Sequence, residues 1–158
     1  MKSVGRSNMI IEKYFKLYFR NNLKKYDLNT AEGLILLLMM EKEMKPQYNA
    51  LDKMHQLIKG QTQDQMNDEI HYDKAVMTRT MQSLESKGYV ERSINPADRR
   101  SSVFSLTKKA IDFKSTLIDI LTLWNDGLQK GIDKEKLEIV KTVLSQMANN
   151  ALELIKGE

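Results

Sequence analysis

The stretch from Thr62 to Ala110 restricts the fold more than any other part of the chain, because it places two short helix signals, a glycine stop and a charged hairpin in immediate succession. Thr62 followed three residues later by Gln65 is a capping box, and Met66 and Ile70 form an apolar i, i+4 pair behind it, so a first short helix is expected over 62–70. Asp73 then offers a side-chain oxygen to the free amides of a new first turn. The helix it opens puts Met77, Thr80, Met81 and Leu84 on an inner face and Lys74, Thr78, Arg79, Gln82 and Ser83 on the other side. Gly88 stands where a helix ends in a left-handed residue, so the helix is expected to stop near Lys87 and the chain to turn sharply into Tyr89 and Val90. Two β-like runs, 90–93 and 103–106, flank Asn95-Pro96-Ala97-Asp98, whose turn chemistry makes a hairpin of them, and Thr107 caps the next helix. The tip carries Asp98, Arg99 and Arg100: the guanidinium forks suit phosphate or a narrow minor groove, and the carboxylate accepts hydrogen bonds that hold the tip in shape. The whole reads as a nucleic-acid reading head. Singly, Lys74 and Arg79 are equally a solvated face and Asp98-Arg99-Arg100 a solubilising tip; it is their combination that favours a polyanion.

The distribution of charge agrees. The net charge is +4, with eight basic and four acidic residues over 71–110 but six basic and eight acidic over 111–158, so the surplus sits in the reading head. A length of 158 residues suits one domain, or a small head with a helical assembly region, and 41% apolar content is enough for a packed core. The absence of cysteine excludes a thiol redox switch, a disulfide framework and a cysteine zinc site, while the ten methionines are read mainly as core filling. The longest apolar run, 34–40, is far short of the roughly 20 residues of a membrane span, and with no export signal legible the expected location is the cytoplasm.

The motif order Asp-Lys-Ala-x-x-Thr-Arg (73–79), Leu-Glu-x-Lys-Gly-Tyr-Val (84–90), Asp-Arg-Arg (98–100) and Leu-Thr-x-Lys (106–109) resembles the MarR family of bacterial and archaeal winged helix-turn-helix regulators. The likeness is close over 62–110 and loose over the flanking helices. Two departures stand out: Asn67 replaces a small apolar residue, and the segment 41–60 is longer than the family's usual passage from core helix to head. Within that segment Asn49 and Asp52 give a helix start, Leu51, Met54, Leu57 and Ile58 one apolar face, and Gly60 a stop, so an extra helix is expected, read most simply as a packed spacer.

On either side of the head the chain is helical. A first helix is expected from about Ser7 to Lys25, with Ile11, Tyr14, Phe15, Tyr18 and Phe19 in one stripe and Ile10 and Leu17 widening it, as for a helix covered from two sides. Asn29 with Glu32 forms a second capping box ahead of 34–40, which is apolar all round and therefore central. Behind the hairpin, Phe113, Leu117, Ile120, Trp124 and Leu128 stripe a helix that ends before Gly131. Another opens at Asp133, and its Leu137, Val140, Leu144, Met147, Ala151 and Leu154 alternate in steps of three and four. Such a seam needs a partner surface, within this chain or in a second one.

The fold class expected is mainly α: a winged helix-turn-helix head with a small β-hairpin wing, plus N- and C-terminal helices forming a dimerisation region. The resemblance implies a DNA-binding region over 29–110, with an inserted segment near 41–60, and a helical dimerisation region over 1–28 and 111–158. It favours a homodimer, with Ile11, Tyr14, Trp124 and the seam residues Leu137, Val140, Leu144, Met147, Ala151 and Leu154 at the contact. Symmetry then makes the target an inverted repeat in double-stranded DNA, read in successive major grooves about 34 Å apart. Thr78, Arg79 and Gln82 are expected at base edges, Lys74 and Ser83 at phosphates or bases, Arg99 and Arg100 beside the duplex, and Val76 against a thymine methyl. Thr62 and Gln63 complete the expected DNA contacts, and Asp73, Gly88 and Asp98 shape the caps and the wing. The resemblance also implies a small-molecule effector in a cleft that Tyr14, Tyr18 and methionines would line. Catalysis is not expected: His55 and His71 have no matching nucleophile motif, no glycine loop would hold phosphate, and His71 with Asp68, Glu69 or Asp73 reads better as turn and cap than as a metal site. No cofactor is expected. The alternative from another class is a winged-helix module whose basic head binds an acidic protein.

Overall fold

The computed structural model describes residues 3–43, 73–95 and 99–156. The expected helix over 62–70 with Thr62 and Gln63, the expected extra helix within 41–60, Asn67, both histidines and Asp98 lie outside the described residues, apart from the last turn of the core helix. The order of elements is α1 (Val4–Leu23), a 3-10 turn (Lys24–Tyr26), α2 (Thr30–Glu43), α3 (Lys74–Ser86), β1 (Val90–Ile94), β2 (Ser102–Leu106), α4 (Lys108–Gln129) and α5 (Lys134–Lys156). Five helices and one antiparallel hairpin are thus what the described residues contain, as the helical and alternating spacings anticipate. By compactness the chain divides into one unit over Met1–Ile120 and another over Leu121–Glu158.

In the first unit the core is built on α2. Its capping box forms in full: the Asn29 amide donates to Glu32 Oε2 (2.7 Å) and the Glu32 amide to Asn29 Oδ1 (2.9 Å), satisfying two otherwise orphaned donors. Ile35, Leu36, Met39 and Met40 are buried, and Leu34, Leu37 and Leu38 half-buried, so over 34–40 no face of the helix is left in water. Phe19 and Leu23 of α1 close over Gly33, where a Cβ would stand 2.8 Å from Phe19 Cε1 and nearer still to Leu23 Cδ1; only glycine permits this approach.

The first helix starts three residues earlier than the sequence suggests, because the Ser3 hydroxyl accepts from the Arg6 amide (3.2 Å) and makes an N-cap there. Along α1 the apolar stripe passes from exposed to buried: Ile11 and Tyr14 are exposed, Phe15 and Tyr18 half-buried, Phe19 and Leu23 fully covered. Tyr18 donates its hydroxyl to the Ile120 carbonyl (3.1 Å), tying α1 to α4.

The hairpin pairs in the register Val90↔Leu106 to Ile94↔Ser102, and Val103, Phe104 and Leu106 are the buried residues of β2. Asn95 closes the ladder, its amide donating to the Ser101 carbonyl (3.1 Å) and its Nδ2 to Ser101 Oγ (2.8 Å). Thr107 caps α4 and donates to the Gly88 carbonyl (2.7 Å), which pins the start of α4 to the end of α3.

In the second unit α5 opens at Asp133, whose carboxylate accepts from the Glu135 amide (2.9 Å), after the left-handed Gly131. From 134 to 155 only Leu137 is partly covered; Val140, Leu144, Met147, Ala151 and Leu154 are exposed in the single chain, and Trp124 of α4 is half-buried. No helix among the described residues is long and apolar enough to cross a membrane.

Candidate nucleic-acid interface

The site is built on α3. Asp73 caps it, accepting from the Ala75 amide (2.8 Å), and Met77, Thr80, Met81 and Leu84 are all buried, as the spacing requires. Thr80 satisfies its hydroxyl inside the helix by donating to the Val76 carbonyl (2.8 Å), so a polar residue sits in the apolar face without an unmet hydrogen bond. The helix ends in a Schellman turn: the Tyr89 amide donates to the Leu84 carbonyl (2.9 Å) and the Gly88 amide to the Glu85 carbonyl (3.0 Å), with Gly88 at φ 73°. A residue with a side chain would be strained there.

With that face fixed inward, Lys74, Arg79 and Gln82 are exposed, and Thr78 and Val76 are half-buried at the edges of the same surface. Arg99 and Arg100 are exposed beside the hairpin. Ser83 behaves differently. Its hydroxyl donates to Glu32 Oε1 (2.6 Å), turning the side chain toward α2 and away from the group formed by Lys74, Arg79 and Gln82.

Glu32 was legible in the sequence only as a cap, yet its carboxylate is fully buried and accepts from three sources. Besides the Asn29 amide and Ser83, Lys87 Nζ reaches both its oxygens at 2.9 and 3.0 Å. Burial alone would raise this carboxyl, but hydrogen bonds from Lys87, Ser83 and the Asn29 amide, together with the Lys87 charge, hold it below the usual carboxylate range. Lys87 Nζ also donates to the Asp27 carbonyl (2.6 Å), and the Lys87 carbonyl accepts from Lys109 Nζ (2.6 Å). Lys109 in turn lies 4.2 Å from the centre of the Tyr89 ring, a cation-π contact that holds the start of α4 on the turn after α3. Burial raises the Tyr89 phenol above its ordinary range, with the Lys87 charge opposing and Asp27, Glu32 and Tyr26 adding to the rise.

Arg92 is a second residue that the motifs pass over. It is exposed on β1, its Nε donates to Ser102 Oγ (2.8 Å) and its guanidinium lies 6.0 Å from the Phe104 ring that faces it in the register. Its signal was the alternation of the strand, which sets Arg92 on one face with Val90 and Ile94. Among the described residues no group of three or more histidine, aspartate or glutamate side chains is placed to hold a metal.

Residues 45–102 match the MarR family, a span that begins inside the segment 41–60. The folded chain is similar to a MarR transcriptional regulator from Methanosarcina mazei Go1, with a TM-score of 0.80 at 21% identity over 96% of this chain and 97% of that one. It is similar also to wild type MarR of E. coli in its apo form (TM-score 0.73, 17% identity, 93% of this chain and 98% of that one). A third likeness is to a putative MarR family transcriptional regulator from Listeria monocytogenes solved in complex with a 26mer DNA (TM-score 0.76, 17% identity, 95% and 89%).

Proposed function

We propose that the chain, whose residues 45–102 match the MarR family within a winged-helix fold, is a MarR-type transcriptional regulator that binds an inverted repeat in duplex DNA as a homodimer. The observation that carries this reading is the division of α3. Met77, Thr80, Met81 and Leu84 hold the helix in the core, which leaves Lys74, Arg79 and Gln82 exposed together on a helix of the right diameter for a major groove. Thr78 and Val76 edge that surface, and the hairpin adds the exposed cations Arg92, Arg99 and Arg100. The Listeria relative, crystallised with a 26mer DNA, supports the same use of the fold.

In this reading Thr78, Arg79 and Gln82 read base edges, Lys74 meets phosphate, Val76 touches a thymine methyl, and Arg99 and Arg100 flank the duplex from the wing. Thr62 and Gln63 complete the proposed DNA contacts. Dimerisation through Ile11, Tyr14, Trp124 and the α5 seam is supported by the exposure of Ile11, Tyr14 and most of that seam in the single chain. A small ligand that modulates binding would act by changing the spacing of the two reading helices.

The deciding experiment is selection of bound fragments from a random DNA pool by the purified protein, followed by footprinting. A symmetric protected site with half-sites one helical turn apart is the expected result. A pool that stays random, with weak binding that follows charge alone, would overturn it in favour of a basic head for an acidic protein.

A further inference from the structure

Two kinds of contact hold α3, and they do different things. The apolar face of Met77, Met81 and Leu84 binds the helix to the core without direction, so it resists removal far more than it resists rotation. The bonds to Glu32 are directional and charge-assisted. Ser83 and Lys87 lie one turn apart on one side of the last turn of α3 and its cap, and both end on the same carboxylate (2.6, 2.9 and 3.0 Å). That carboxylate is fully buried and is itself fixed by the capping box of α2. Lys87 is tied further to the Asp27 carbonyl and to Lys109, so the end of α3, the loop before α2 and the start of α4 meet at one point.

Resting on the reading of α3 as the DNA-facing helix, we propose that Glu32 is a positioning residue for DNA selectivity. Through Ser83 and Lys87 it sets the rotation of α3 about its own axis, and Ser83 acts on DNA only through it. On a helix of about 5–6 Å outer radius, a rotation of about 10° carries a side-chain tip roughly 1 Å, as much as an oriented base contact tolerates. Phosphate contacts, made by longer and more adaptable side chains, are less sensitive to such a turn. Loss of the anchor therefore lowers selectivity more than general affinity.

The test compares wild type with Ser83→Ala, with the pair variant Glu32→Met/Lys87→Met, and with all three changes together. Replacing a buried ion pair by apolar residues of similar volume commonly leaves stability near its starting value, so the pair variant removes the directional bonds, and with them the Asn29 bond of the α2 capping box, while keeping the core. Each protein is measured for thermal unfolding and for binding to the selected site and to a scrambled duplex of equal length. Wild type must first discriminate between the two duplexes; if it does not, the DNA-binding reading fails before this one is tried. The expected result is a pair variant that melts within a few degrees of wild type, binds scrambled DNA within about threefold and loses about tenfold or more in selectivity, the worth of one oriented base contact. Ser83→Ala should lower selectivity in wild type and change nothing further in the pair variant. The proposal is overturned if the pair variant keeps its selectivity, if both duplexes are weakened equally, or if Ser83→Ala costs the same in both backgrounds, which would make Ser83 a direct contact. Should the pair variant not fold, Ser83→Ala, Lys87→Met and their double, which remove both donors and leave the α2 cap in place, take its place: selectivity lost by the double with binding to scrambled DNA retained supports the proposal, and selectivity kept by the double overturns it.

Discussion

At Arg79 and Glu32 the same helix shows the two ways in which one side chain can matter. Arg79 is exposed on the outer face of α3 and on this reading makes a bidentate base contact, so Arg79→Ala is expected to cost about 1–3 kcal/mol on the selected site and less on random DNA. Equal losses on both would reduce it to a phosphate contact. Arg100→Ala, by contrast, should weaken binding to most sequences and flatten the dependence of affinity on salt, because it removes one released counterion and no base reading. A salt slope identical to wild type would take Arg100 out of the interface. Glu32 touches nothing outside the protein, and its effect on stability depends on pH. Its carboxyl titrates lower in the folded chain than in the unfolded one, so the unfolded chain takes up the proton first on acidification. The stability it contributes is complete at neutral pH and is lost as pH falls below about 4.3, the ordinary glutamate value, toward its lower folded one. Urea unfolding at pH 7 and at successively lower values should therefore show a steeper acid loss in wild type than in Glu32→Gln; parallel curves would mean that the buried carboxylate is not ionised.

At the scale of elements the sequence was most legible where the cause of structure is local. The Asn29 and Glu32 capping box, the Asp73 and Asp133 caps, the Gly88 stop and the hairpin strands depend on residues at most a few positions apart, and the observed bounds fall within a residue or two of the spacings. The start of α1 was missed because Ser3 is a weak signal beside Gly5 and lacks a Glu or Gln at the third helical position, yet its hydroxyl caps all the same. What no spacing announces is contact at long range. Glu32 and Lys87 are 55 residues apart, so the carboxylate that reads as a cap gives no sign of its second task, and Ser83, assigned by helical position to the outer face, is turned inward by it. Gly33 was passed over for the same reason: its need for hydrogen in place of a methyl comes from Phe19 and Leu23 on another helix. Both neighbours are fully buried and have little room to give, so Gly33→Ala should destabilise the chain by about 1–3 kcal/mol despite the better helix propensity of alanine. A thermal melt settles it; a rise in melting temperature would show that α1 can shift to admit the methyl.

The whole molecule presents one feature that a solitary chain has no reason to keep. Along α5, Val140, Leu144, Met147, Ala151 and Leu154 follow the steps of an a/d seam and stand in water, and Ile11 and Tyr14 of α1 are likewise uncovered. A large apolar side chain gains roughly 1.5–3 kcal/mol on full burial, so covering the larger seam residues on two chains is enough to drive stable association once the cost of ordering is met. A second copy is the simplest cover, since a two-fold axis sets each seam against its equal and doubles the number of reading helices. The single change Leu144→Asp tests this at the centre of the seam: the new carboxylate is harmless in a monomer and unpaired in a dimer. Sedimentation should find wild type as dimers and Leu144→Asp largely as monomers with helix content retained. Because binding of the second head becomes intramolecular once the first is seated, the variant should also lose about 10²–10⁴-fold in affinity for a symmetric two-half-site duplex while its affinity for a single half-site is unchanged. If Leu144→Asp sediments as a dimer and holds the symmetric site as tightly as wild type, the seam is not where the chains meet; if wild type is itself monomeric yet binds an inverted repeat tightly, two-fold symmetry belongs to the DNA alone.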